Sequence, residues 1–210
     1  PAQGVHGDGL ALAKQGAGLG HVEERGHAEL ARHVGQMPGK SSLFSDDRGR
    51  AVDSADPEGI RMTLTGQVFP LLSGIVPADR VPSIAKAVNA HLKDSKNGLI
   101  RLNTDLGKSD LKLGRFAGFA YGHKENGAFF SHMDVMYAYG LFAAGFPTEG
   151  NAVLQAQYDY MSDIDRARIL PGIPEYVDAR GRGMYHYLTG SAAWTVIPSS
   201  SCNSRWTAAS

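Results

Sequence analysis

Ala128-Phe129-Phe130-Ser131-His132-Met133-Asp134-Val135-Met136-Tyr137-Ala138-Tyr139-Gly140-Leu141-Phe142-Ala143-Ala144, closed by Gly145, reads as one helix. Phe129, His132, Met133, Met136, Tyr137, Gly140 and Leu141 fall on one broad face of it, the spacing of a helix packed against a core. Gly145 suits the left-handed residue that ends such a helix. A further helix follows from Glu149 to Met161, with Val153, Ala156, Gln157 and Tyr160 aligned. Upstream, Val81, Ile84, Ala85, Val88 and Leu92 repeat at helical spacing, with Asp79 as a cap and Lys96-Asn97-Gly98 as the stop. Another helix is expected to open near Ser191, and a weaker one spans Val22–Val34, interrupted by Gly26. Strand signals are confined to Leu99–Asn103 and Ala117–Tyr121. The fold class is therefore mainly α, with long Gly-rich connections at Leu99–Gly127 and Leu170–Gly190 that have the length of functional loops.

Composition narrows the function. The 210 residues give room for one domain or part of a larger one. Lys plus Arg (21) equals Asp plus Glu (21), so no net field draws the chain to nucleic acid or an acidic membrane. No apolar run approaches the roughly 20 residues of a membrane span. One cysteine, Cys202, excludes an internal disulfide and a cysteine-based zinc site, as fits a reducing compartment. Residues 1–43 carry nine glycines and no aromatic residue, and 1–43 is expected to be a poorly ordered, atypical segment. Pro1 stands without an initiator Met or a signal-like start, and Ile197–Ser210 is a polar tail where a helix has just begun. A frame change or truncation is the expected origin of both ends.

Several local patterns fail as sites. Gly35 and Gly39 in Gly35-Gln36-Met37-Pro38-Gly39-Lys40-Ser41 stand one residue too close for a P-loop. His21, His27 and His33 have no metal-ligand spacing, and a Gly-x-Ser-x-Gly elbow is missing. Two segments hold more. Tyr121-Gly122-His123-Lys124-Glu125-Asn126-Gly127 presents a charged pair in a loop before a helix that carries His132. On spacing alone the favoured reading is a capped helix with a solvated ion pair and a core histidine. Thr189-Gly190-Ser191 opens an apolar helix, where free N–H groups and a hydroxyl form either an anion seat or an ordinary cap.

Together these segments resemble the C-terminal part of the catalytic domain of glycoside hydrolase family 94, the inverting phosphorylases of β-glucosides. The likeness rests on Lys124-Glu125-Asn126-Gly127 followed by Phe130-Ser131-His132, on Gly172-Ile173-Pro174-Glu175-Tyr176, and on Gly181-Arg182-Gly183 leading to Tyr187-Leu188-Thr189-Gly190-Ser191-Ala192-Ala193-Trp194. Leu64–Gly74 resembles the helix preceding them. Coverage is about residues 44–196, leaving 1–43 and 197–210 outside. The resemblance implies a partial (α/α)6 toroid.

It also implies a reaction in which phosphate attacks the anomeric carbon of a β-linked glucosyl unit with inversion, giving α-glucose 1-phosphate. Phosphate is itself an anionic nucleophile, so one general acid suffices where hydrolysis with inversion uses two carboxylates. By the resemblance, His132, Thr189 and Gly190 hold phosphate. Lys124 and Glu125 line the acceptor-sugar subsite, Glu175 and Tyr176 approach the transferred sugar, and Arg182 either assists phosphate or pins its loop. Partners are then a β-glucoside or β-glucan oligosaccharide and phosphate, with no nucleic acid, membrane or metal. No cofactor is implied beyond inorganic phosphate as co-substrate. The location is cytoplasmic, and the parent enzyme is homodimeric.

One departure matters. The family's general acid is an aspartate in a Trp-Asn-Asp-type motif, and this chain has no tryptophan before Trp194. Asp46, Asp47, Asp105, Asp110 and Asp134 stand in other contexts. The chain alone is expected to be inactive. Alternatives are a helical-toroid hydrolase and a sugar-binding or product-processing domain of a cyclic β-glucan synthase.

Overall fold

A computed structural model describes residues 60–107, 114–168 and 173–184, and the backbone alone at 55–56 and 59. The elements are β1 (Ala55–Asp56), β2 (Gly59–Ile60), α1 (Thr65–Leu72), α2 (Val81–His91), β3 (Phe129–Phe130), α3 (Ser131–Ala143), α4 (Pro147–Ser162), α5 (Ile164–Ala167), β4 (Tyr176–Val177) and β5 (Gly183–Met184). The helices expected at Val22–Val34 and from Ser191, and the expected boundaries at residues 43 and 197, lie outside the described residues.

Helix α3 is the centre of the packing. Ser131, Met133, Asp134, Val135, Tyr137, Ala138, Gly140, Leu141 and Phe142 are all buried. Only the stripe of His132, Met136, Tyr139 and Ala143 is half-buried or exposed, so the helix is buried over most of its circumference. The broad face read from the sequence understates that burial and includes His132 and Met136, which lie on the less covered side. Helix α3 packs against both α1 and α4. Small residues let the backbones approach. A Cβ on Gly140 would stand 3.0 Å from the Leu71 Cβ, and one on Gly150 would stand 3.0 Å from the Ala138 carbonyl oxygen.

Helix α2 obeys its periodicity, burying Val81, Ile84, Ala85 and Val88. Its ends differ from expectation. Asp79 lies in a 3₁₀ turn, Ala78–Arg80, and makes no cap to α2; Pro82 in the first turn sets the start instead. The helix stops at His91 with Leu92 as its cap, before Lys96. Asp94 then organises the turn, its Oδ1 accepting from the N–H groups of Lys96 (3.0 Å) and Asn97 (2.9 Å). Gly98, at φ 73°, sends the chain back. Helix α4 behaves as read, with Gln157 and Tyr160 buried and Val153 and Ala156 half-buried.

Two further expectations change. Ala128–Phe130 is extended, not helical, because Phe129 pairs with Val177 and Phe130 with Tyr176. β4 in turn pairs with β5, giving an antiparallel sheet in the order β3-β4-β5. Ala117–Tyr121 is no strand either: Arg115–Gly118 forms a 3₁₀ turn that runs into tight turns. Leu99–Asn103 is extended as expected, bridging Lys93, Phe129 and Thr63 through Ile100, Arg101 and Asn103.

The main core joins Met62, Leu64, Val68, Val81, Ile84, Val88, Leu92, Ile100 and Leu141. A smaller one gathers Leu99, Phe129, Tyr160, Ala167 and Val177 under the sheet. Asp134 ties these parts together. It is fully buried, and its Oδ2 accepts from the Ile100 N–H (3.1 Å) and the Gln157 side-chain amide (2.7 Å). Burial pushes its carboxyl up to about 8, against the pull of those two donors. No helix among the described residues is long and apolar enough to cross a membrane.

Candidate functional site

The Lys124–Gly127 loop is held from below by amide side chains. Asn103 Nδ2 donates to Asn126 Oδ1 (3.0 Å) and to the Thr104 carbonyl (2.9 Å), while Asn103 Oδ1 accepts from the Gly127 N–H (2.8 Å). Asn126 Nδ2 donates onward to the Phe119 carbonyl at 2.7 Å. Both asparagines are buried, so each amide is spent on a fixed partner and the loop has little freedom. Lys124 takes the left-handed conformation, at φ 47°, in the tight turn this creates.

Above this network opens a cleft of about 320 Å³, lined by Thr63, Thr65, Leu102, Asn103, Arg115, Phe116, Glu125, Phe130, Met133 and Tyr176. That volume lies near the lower end of the roughly 300–1,000 Å³ of small-ligand sites. Much of the wall is aromatic. Phe130 and Tyr176 stack with centroids 4.6 Å apart and planes 13° apart, and Phe116 adds a third ring. Polar groups sit among them: two threonines, Asn103, Arg115 and Glu125.

Glu125 is the charged acceptor of the cleft. Its Oε1 accepts from Arg115 Nη2 at 3.1 Å, and its Oε2 is buried with no hydrogen-bond partner among the described residues. Lys124, its sequence neighbour, is absent from the lining; its ammonium lies 5.3 Å from the Phe119 ring centroid. Tyr176 reaches the cleft from β4, and Glu175 beside it accepts the Ser131 N–H on its backbone carbonyl at 3.1 Å. His132, at the start of α3, meets Phe130 edge-on at 5.8 Å. Burial lowers the imidazole below its ordinary value, and the nearby Glu175 carboxylate opposes that shift.

Five of the seven expected site residues can thus be placed. Glu125 and Tyr176 share the cleft, His132 and Glu175 adjoin its Phe130–Tyr176 wall, and Lys124 points at Phe119. Thr189 and Gly190 lie outside the described residues. Arg182 pins its loop: its backbone N–H donates to Asp178 Oδ1 at 2.9 Å and its Nε stands 3.9 Å from Asp178 Oδ2. Phe116, Arg115, Asn103, Thr63 and Thr65 line the cleft without belonging to any site motif in the sequence. Phe130 stands within the Phe130-Ser131-His132 motif, Met133 on the apolar face of its helix, and Leu102 and Asn103 in the expected strand, so these four carried a signal in the sequence.

The stretch that supplies most of the cleft lining carries a family pattern, and Glu175, Tyr176 and Arg182 lie beyond it. The model of the glycosyl hydrolase 94 superfamily, catalytic domain, matches residues 43–151, just over half the chain. The chain belongs to that superfamily. No curated protein matches this family 94 chain. Among solved structures it is similar to the GH63 mannosylglycerate hydrolase from Thermus thermophilus in complex with glucose. That match has 16% identity and a TM-score of 0.55, covering 86% of this chain and 39% of that one. An uncharacterized conserved protein of the same organism matches at 16% identity and a TM-score of 0.55, over 86% of this chain and 38% of that one. The family 94 chain therefore spans about two fifths of the length of these structures. Likeness at this identity shows the fold, a mainly α, partial (α/α)6 toroid. The family match, by itself, makes residues 43–151 part of a glycosyl hydrolase 94 superfamily catalytic domain.

Proposed function

We propose that the chain is part of an inverting phosphorylase that cleaves β-linked glucosides or β-glucan oligosaccharides with phosphate, giving α-glucose 1-phosphate. One observation carries the reading: Glu125 from the Lys124–Gly127 loop and Tyr176 from β4 face one cleft whose aromatic wall continues to His132. A pyranose ring is flat and apolar on its faces and hydroxylated at its edge. Phe116, Phe130 and Tyr176 suit the faces, and Glu125 Oε2 and the threonines suit the edge.

Phosphate then acts as the nucleophile, held rather than activated. His132 stands beside the cleft wall with a lowered imidazole pKa. An arriving dianion favours its protonated, donating form. In this proposal the Thr189 hydroxyl and the Gly190 N–H complete the seat, and Lys124 contributes charge to the acceptor-sugar side. The Glu175 carboxylate near His132 favours the imidazolium. Proton donation to the leaving sugar needs an aspartate from a Trp-Asn-Asp-type motif, which this sequence lacks, so the chain alone is proposed to bind without turning over.

Titration calorimetry of the chain with cellobiose, with and without phosphate, tests the binding half. The expected result is tighter cellobiose binding when phosphate is present. Incubating the parent enzyme with the same sugar tests the chemistry: phosphate-dependent α-glucose 1-phosphate supports phosphorolysis. Free glucose released without phosphate would overturn it in favour of a hydrolase.

A further inference from the structure

The Arg115–Glu125 pair joins the Arg115–Gly118 turn to the Lys124–Gly127 loop, and both residues line the cleft. Its geometry is unusual for a stabilising ion pair. The Arg115 side chain is 80% exposed, and a single N–H of its fork reaches Glu125 at 3.1 Å. Exposed pairs of this kind add little to folding, since water screens them and a long side chain loses freedom. The Phe119 ring, 5.8 Å from the guanidinium, offers a second weak hold.

What the pair does achieve is asymmetry at Glu125. Oε1 is engaged by Arg115, and Oε2 is buried without a partner among the described residues. A buried carboxylate oxygen lacking a hydrogen bond is costly, and a ligand hydroxyl donating to it relieves that cost. Without Arg115 the Glu125 side chain could turn both oxygens to water. We propose that Arg115 is a positioning residue for ligand specificity. It fixes the Glu125 rotamer so that Oε2 stays in the cleft as a preorganised acceptor for a sugar hydroxyl. This rests on the sugar-cleft reading above.

The test uses the whole chain and cellobiose as probe, with affinity read by ligand-observed NMR titration and folding by thermal melting. Arg115→Ala is expected to weaken binding roughly fivefold while leaving the melting temperature unchanged. Because only one N–H is used, Arg115→Lys should restore most of the affinity, which a purely structural arginine would not predict. Methyl β-glucoside derivatives lacking one hydroxyl each provide a second readout. One of them should bind poorly to the wild type and lose no further affinity in Arg115→Ala. Wild-type binding that Arg115→Ala leaves intact would overturn the role of Arg115 alone. Failure of the wild-type chain to bind any of these sugars would overturn the cleft reading and this role with it.

Discussion

The rings of Phe130 and Tyr176 lie nearly parallel, 4.6 Å apart, although three helices intervene between them along the chain. The register of β3 against β4 enforces the pairing, since Phe130 stands directly opposite Tyr176. A strand pair of two residues is a minimal device, yet it builds one wall of the cleft and sets where α3 begins.

Phe130→Leu separates the two uses of this ring. Leucine keeps apolar volume, so stability should fall by less than about 1.5 kcal/mol. It removes the flat face, so sugar affinity should fall by a larger factor than stability implies. Phe130→Ala should cost about 2 kcal/mol as well, because a half-buried ring is lost outright. Chemical denaturation beside NMR titration checks both.

Asp134 makes a pH prediction with a definite sign. Its carboxyl is raised from 3.8 to about 8 on folding, so the folded state holds the proton more tightly than the unfolded one. The contribution to stability is full below about pH 4 and is lost as pH rises through about 8. Asp134→Asn, neutral at every pH, should flatten that slope and raise stability near pH 8 by several kcal/mol, on the order of 1.4 kcal/mol for each pH unit between 3.8 and about 8. Urea midpoints measured from pH 5 to 9 check it; an unchanged slope in the variant would rule out Asp134 as its source.

Asn103→Asp should be far more damaging than its size suggests. The carboxylate cannot donate to Asn126 or Thr104, and it buries a charge beside their acceptor oxygens. A loss of about 3 kcal/mol is expected. Faster amide exchange at Gly127, whose N–H now bonds Asn103 Oδ1, would localise the effect.

Gly150→Ala reverses the usual helix preference. In an exposed helix the change gains about 1 kcal/mol. Here the new Cβ would sit 3.0 Å from the Ala138 carbonyl oxygen and 3.1 Å from the Phe142 ring, so α3 and α4 must part slightly. A net loss of about 1 kcal/mol is expected in thermal unfolding.

The legible parts of this protein were those whose cause is local. Helices α2 and α4 follow from apolar spacing, because each buries a stripe and exposes the rest. The start of α3 was not legible. Ala128–Phe130 continues the apolar run of the helix, and only its partner β4 makes it extended. Asp79 looked like a cap, yet Pro82 decides where α2 begins. The site divides in the same way. Glu125 and Tyr176 stood in recognisable motifs, and both reach the cleft. Arg115 and Asn103 stand in no such motif; they matter through residues that folding brings beside them.

Phe129, Phe130, Ser131 and His132 cross from β3 into α3 without a spacer. Phe129 fills the smaller core, Phe130 walls the cleft, and His132 leans edge-on against Phe130. One extra residue inserted between Phe130 and His132 would rotate the whole of α3 against the strand side chains, parting His132 from Phe130 and moving the buried residues of α3 off their partners. Point changes at this junction are therefore survivable where a shift in spacing is not, and its length is a stricter inheritance than its letters.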